Sequence, residues 1–114
     1  MAKIYLLKEK PTPEQIGQMS EVFKTYIKLA VDIERRVVAG GGAMHADCEA
    51  LLLDNGSVQK DVWGADWVIA SQEVQFESLI NIRPKQGNFK MEVTDPLLRQ
   101  KIEEIAREVF EGIC

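Results

Sequence analysis

The stretch TPEQIGQMSEVFKTYIKLAVDIERRVVAGGG, residues 12–42, decides how the rest of the chain is read. It opens with a helix start. Thr12 is placed to cap, Pro13 suits the first helical position, and Gln15 completes a capping box. From there Ile16, Met19, Phe23, Tyr26, Ala30, Ile33 and Val37 recur at alternating spacings of three and four, flanked by Val22, Ile27 and Leu29. That spacing is the apolar stripe of an amphipathic helix. It predicts one continuous helix of about 25 residues, ~37 Å long at ~1.5 Å per residue. Arg35 and Arg36 then suit the negative end of its dipole, and Gly40-Gly41-Gly42 ends it. A loop that cradles phosphate precedes a helix N-terminus, whereas this triplet is read as following a C-terminus, so it is a stop and hinge.

Working outward, residues 3–8 read as a first strand. Residues 48–54 read as a second, and Asp54-Asn55-Gly56-Ser57 as a two-residue hairpin turn that pairs Leu53 with Val58 and Cys48 with Trp63. Gly64 marks a bulge in the returning strand, residues 67–70 continue it, and residues 71–73 make the next turn. Val74, Phe76, Ser78, Ile80 and Ile82 alternate with polar residues. Pro84-Lys85-Gln86-Gly87 turns the chain, and Phe89, Met91 and Val93 return opposite, with Ile82 facing Phe89. Asp95-Pro96 opens a last helix, with Leu98, Ile102, Ile105, Val109 and Ile113 inward.

The expected fold is therefore one α+β domain over residues 1–114, in the order strand, long helix, three- to four-strand meander, helix. Its mainly antiparallel sheet carries the helices on one face. The expected core includes Phe23, Ile33, Ile80, Ile82, Met91, Ile102, Ile105 and Val109. The long seam exceeds what short strands can cover, since a strand of five or six residues spans ~17–20 Å. A two-fold homodimer is expected to bury the remainder.

Composition narrows the partners. No apolar run approaches the ~18 residues of a membrane span, and the N-terminal apolar stretch is too short for a signal peptide. Cys48 and Cys114 are accordingly expected as free thiols in a reducing cytoplasm. Residues 43–83 hold two cations, Lys60 and Arg83, against seven carboxylates. That acidic middle argues against a nucleic-acid backbone and fits a cationic ligand, a metal or a solvated surface, and without a spanning run no membrane partner is expected.

Candidate functional residues cluster there. His45, Asp47 and Glu49 offer nitrogen and oxygen ligands that would share one face of a strand, a set suited to a divalent metal such as zinc, manganese or iron. Asp61 falls on the opposite face. Cys48 and His45 have the elements of a nucleophile and base, but three residues apart on an extended chain they face opposite ways, and the segment lacks the positive surroundings a thiolate needs. Trp63 and Trp67 with Asp61 and Asp66 form an aromatic–acidic patch that could hold a cationic or planar ligand, or simply anchor the sheet. Asn81 and Arg83 lie on a polar face with Asn88, Glu77 and Glu92. Arg83 is placed to pair with a carboxylate of the chain or with an anion.

Three segments in this order, GGGAMHADCE (40–49), DVWGADW (61–67) and FESLINIRPKQGN (76–88), resemble a family of small prokaryotic proteins known as a domain of unknown function. The resemblance covers most of the chain and implies a stand-alone protein without assigning a chemistry. The expectation is a homo-oligomeric binding or interaction protein with a small-molecule ligand site at residues 40–49 and 61–67. The alternative is a small metal-dependent, hydrolase-like enzyme built on His45, Asp47 and Glu49.

Overall fold

The computed structural model describes residues 3–112. Ile113 and Cys114, for which an inward position and a free thiol were expected, lie outside that range. The opening helix start is present but short. α1 spans Pro13–Met19, with Thr12 Oγ1 accepting from Gln15 N–H and the Gln15 side chain accepting from Thr12 N–H. It follows β1, Tyr5–Leu7.

The 25-residue helix does not form. After a turn, Tyr26–Asp32 is strand β2 and Val37–Gly40 strand β3, paired antiparallel with Val31 opposite Val38. The residues settle this by a period of two. Ile27, Leu29 and Val31 are fully buried on one face, whereas Tyr26 and Ile33, members of the helical spacing, are only half-buried. Branched residues also favour the pleated surface. Asp32 fixes the turn. Its Oδ1 accepts from Glu34 N and Arg35 N at 2.9 and 3.0 Å, its Oδ2 accepts from Ser57 Oγ at 2.6 Å, and Arg36 takes φ 55° to close the hairpin.

The glycine triplet therefore leaves a strand and enters a helix. The segment read as a strand and hairpin is α2, His45–Asp54, and Asn55-Gly56 terminates it, with Gly56 at φ 97°. The pairings of Leu53 with Val58 and Cys48 with Trp63 are consequently absent. β4, Val62–Val68, runs unbroken through Gly64, and β5, Glu73–Gln75, follows the expected turn. The sheet is antiparallel throughout, in the order β1-β3-β2-β4-β5.

The helices lie on both faces, not one. Ile16 and Met19 of α1 and Ile102, Ile105, Val109 and Phe110 of α3, Pro96–Phe110, pack with Leu29, Val31, Val38, Trp63 and Trp67. Cys48 and Leu52 of α2 pack on the other face against Ala30, Val37, Ala39 and Val62. The α3 start is as expected, with Asp95 capping Leu97 N at 3.0 Å. Much of the seam thought to need a partner is covered within the chain, with Ile16, Val31 and Val38 all buried and Val22 exposed.

Residues 76–93 form an irregular excursion in place of two long strands. Only isolated bridges join it, Glu77 to Glu92 and Arg83 to Asn88, and 3-10 turns occupy 79–81 and 84–86. Arg83 opposite Asn88 keeps the expected register, but Phe89, Ile82 and Met91 are exposed, and Phe23 and Ile80 only half-buried. The cause is Asn81. Its side-chain amide is fully buried and pairs with β4 as a strand residue would: Oδ1 accepts from Gly64 N at 2.8 Å and Nδ2 donates to Gly64 O at 3.0 Å. Gly64 is required by the approach of Ser78, whose Cβ would lie 2.5 Å from an added Cβ.

Candidate functional site

The excursion, the start of α2 and the adjoining ends of β2 and β4 enclose a cleft of about 350 Å³. Tyr26 and Lys28 form its floor with Asp66, their side chains alternating away from the apolar face of β2. Met44 and His45 enter from α2, and Glu77, Leu79, Ile80 and Met91 from the excursion. The volume is at the small end of the range for ligand pockets, ~300–1,000 Å³.

His45 is the first residue of α2 and turns inward, nine-tenths buried. Its Nε2 lies 2.8 Å from Asp66 Oδ1 and 3.1 Å from Ala65 O. A carbonyl oxygen can only accept, so Nε2 carries the hydrogen and donates to both. The neutral ring is then the Nε2–H tautomer, with its lone pair at Nδ1. Among the described residues the sealed, unpartnered side-chain atoms are Trp63 Nε1 and Trp67 Nε1. His45 Nδ1 is not one of them and makes no hydrogen bond among these residues, and His45 is part of the cleft lining. A carboxylate that fixes one ring nitrogen and leaves the other as acceptor is the arrangement by which proteins orient a working histidine.

The remaining candidates divide. Asp66 joins His45, and Glu49 and Arg83 meet each other at 3.5 Å, at the edge of a second cleft that shares Leu79 and Ile80 with the first. Arg83 serves as a clamp. It donates to Ile80 O at 2.8 Å, to Gln59 O at 2.7 Å and to Val62 O, and its Cζ stacks 4.5 Å from the Trp63 ring. Burial lowers its affinity for the proton, and Glu49 opposes that shift. Trp63 and Trp67 face the α3 side of β4 inside the core, with Trp67 stacked 5.8 Å from Phe110, so they offer no open aromatic patch. Asp61 sits in a 3-10 turn, where its carbonyl accepts from Ile33 N. Asn81 is consumed by Gly64.

The set His45, Asp47 and Glu49 is not gathered. On a helix, residues 45 and 49 share a face, and residue 47 turns about 200° away. Asp47 is exposed and Glu49 faces Arg83. Among the described residues no three His, Cys, Asp or Glu side chains converge in a metal-binding group. The residues present do not fit a divalent metal there. Cys48 is buried under α2, with its Sγ 3.5 Å from Lys28 O, and burial pushes its thiol up to about 11. That is the state of an inert core cysteine.

Sequence reasoning missed Tyr26, Lys28, Leu79 and Met91 as site residues, and placed Glu77 only on the polar face with Arg83. Lys28 and Tyr26 had a signal, since they alternate with Ile27 and Leu29, but the helical reading hid it. No described helix is long and apolar enough to cross a membrane. No curated protein and no solved structure matches this chain. A family model does match, over residues 5–109, and the chain belongs to that family, described as a protein of unknown function (DUF5674).

Proposed function

We propose that this chain is a binding protein that takes a small molecule in the cleft between α2 and the 76–93 excursion. The observation that carries this reading is a histidine held by Asp66 in the lining of the cleft, with its second ring nitrogen unused among the described residues. A histidine serving only to fill the core would have both nitrogens spent or sealed. The rest of the lining suits a ligand: apolar Leu79, Ile80 and Met91, with a few convergent polar groups.

The chain holds a single histidine, which makes the test clean. Two-bond nitrogen–proton correlation spectra should report the Nε2–H tautomer for the neutral ring. A fragment screen followed by amide chemical shifts should place its hits on Lys28, His45 and Asp66, and Asp66→Asn should weaken them. The Nδ1–H tautomer, or hits that cluster elsewhere, would overturn the reading.

We also propose a homodimer, on a different surface from the one the seam implied. Met44, Leu79, Ile82, Phe89 and Met91 are large apolar side chains left exposed along the two neighbouring clefts and the excursion between them. Two amines (Lys85, Lys90) lie between two carboxylates (Glu77, Glu92) along the same segment, so a second copy turned by a two-fold can match opposite charges. Light scattering at micromolar concentration should give twice the 12.9 kDa chain mass, reduced to one by Phe89→Glu. A monomer at that concentration refutes the dimer. A cytoplasmic location belongs to the same proposal, since a free, buried Cys48 suits a reducing compartment.

A further inference from the structure

Three polar groups that line the cleft have no ion-pair or hydrogen-bond partner among the described residues. Lys28 is half-buried on β2, and its ladder partner Asp66 is turned to His45. Among the described residues no carboxylate lies in ion-pair range of the Lys28 amine, which sits 5.0 Å over the Phe23 ring. Glu77 likewise has no cation, since Arg99 goes to its bridge partner Glu92. The third group is His45 Nδ1. The N-cap residue Met44, which also lines the cleft, supplies no side-chain acceptor to the start of α2, whose first turn carries Asp47.

A cation, a carboxylate and an acceptor nitrogen around one small space match a molecule carrying both charges. A simple carboxylate would meet Lys28 but bring its charge toward Glu77. A simple amine would do the reverse. We propose that the cleft binds a small zwitterion, a free α-amino acid with an apolar side chain. Its carboxylate lies against Lys28 and the start of α2, its ammonium is directed to Glu77 and His45 Nδ1, and its side chain rests on Leu79 and Met91. This inference rests on the small-molecule reading of the same cleft and narrows it to a ligand class.

The test is titration of the full chain with each apolar L-amino acid, followed by amide shifts. Leucine is compared with its two halves, 4-methylpentanoate and 3-methylbutylamine. At least one amino acid should give saturable shifts at Lys28, His45 and Ala46, and each half-ligand should bind at least about tenfold more weakly, one lost charge contact being worth ~1.4 kcal/mol or more. Lys28→Met should bring the amino acid down to the level of the amine, and Glu77→Gln to the level of the carboxylate. Both side chains reach solvent, and thermal melts check that the variants fold. Half-ligands that bind as tightly as the amino acid, or binding indifferent to both substitutions, overturn the zwitterion. If no amino acid binds while other fragments shift the same residues, the zwitterion falls and the cleft stands. If nothing binds there and Nδ1 carries the hydrogen, both fall.

Discussion

Asn81 is the position where a single substitution should reveal how the cleft wall is held. Its Nδ2 donates to three carbonyls, Gly64 O, Phe76 O and Met91 O, at 3.0, 3.3 and 3.2 Å, and its Oδ1 accepts from Gly64 N at 2.8 Å. The Asn81 side chain is sealed from solvent, and of the four bonds only the one to Met91 O is part-buried. Asn81→Ala leaves the Gly64 N–H orphaned, at ~1–3 kcal/mol, and removes the donors of three carbonyls. Carbonyl oxygens tolerate under-satisfaction better than N–H groups do, so each adds less. A total of ~3–5 kcal/mol is expected, a large share of the ~5–15 kcal/mol that folds a domain of this size.

Asn81→Asp separates the hydrogen-bond argument from a packing argument, because it keeps the shape and reverses the polarity. Its ionised carboxylate would face three carbonyls, so at neutral pH it should be worse than alanine. Those carbonyls favour the protonated form, raising the folded pKa above the unfolded value of ~3.9. The folded state then holds the extra proton, and stability falls as pH rises from about 4 upward. Urea denaturation at pH 4 and pH 7 reads both effects through the midpoint. If Asn81→Ala costs less than 1 kcal/mol, or Asn81→Asp equals alanine at both pH values, Asn81 does not hold the excursion to β4.

Three further outcomes follow from the packing. Cys48 should resist alkylation by iodoacetamide in the native state at neutral pH. Because burial raises its pKa from 9.0 to about 11, folding holds its proton and stability should decline between those values, an effect absent in Cys48→Ala. Gly41→Ala should cost more than ~1 kcal/mol in thermal or urea melts, since φ is 105° and the new Cβ would lie 2.3 Å from Lys3 O. Ile105→Ala, at a fully buried α3 position, should cost ~2–5 kcal/mol in urea, and a loss below 1 kcal/mol would place α3 outside the core.

The elements legible in the sequence are those fixed by their own residues. Thr12, Pro13 and Gln15 cap α1, Asp95 and Pro96 start α3, and the 102, 105, 109 stripe faces inward, all through contacts within a turn or two. β2 and β3 were not legible because positions 26, 30 and 37 in them, with 33 in the turn between, also fit helical spacing, while the true period lay in Ile27, Leu29 and Val31. Asp32, one polar residue in that apolar run, was the hairpin signal, and it makes sense only once Glu34, Arg35 and Ser57 are seen bonded to it. α2 was hidden by Leu51-Leu52-Leu53, an unbroken apolar run that fits a strand as well as a helix. The excursion was illegible for a different reason. Asn81 meets Gly64 across 17 residues, a tertiary bond that no local pattern announces.

The site shows the same division. Composition singled out His45 and Asp66 separately, but their pairing depends on α2 starting at His45, three residues before the expected strand. The glycine triplet carries the consequence furthest. Its exclusion as an anion loop rested on its following a helix, and it in fact precedes one. Its glycines nevertheless remain structural on other grounds. An added Cβ at Gly41 would strike Lys3 O and Met19, and one at Gly42 would lie 3.1 Å from both Cys48 Sγ and Met44 O. Those contacts are the chain's own, so the smallness of the triplet lets β1, α1 and α2 close around it. The proposed ligand cleft lies beside His45, where, among the described residues, Lys28 and Glu77 have no oppositely charged partner and Nδ1 makes no hydrogen bond.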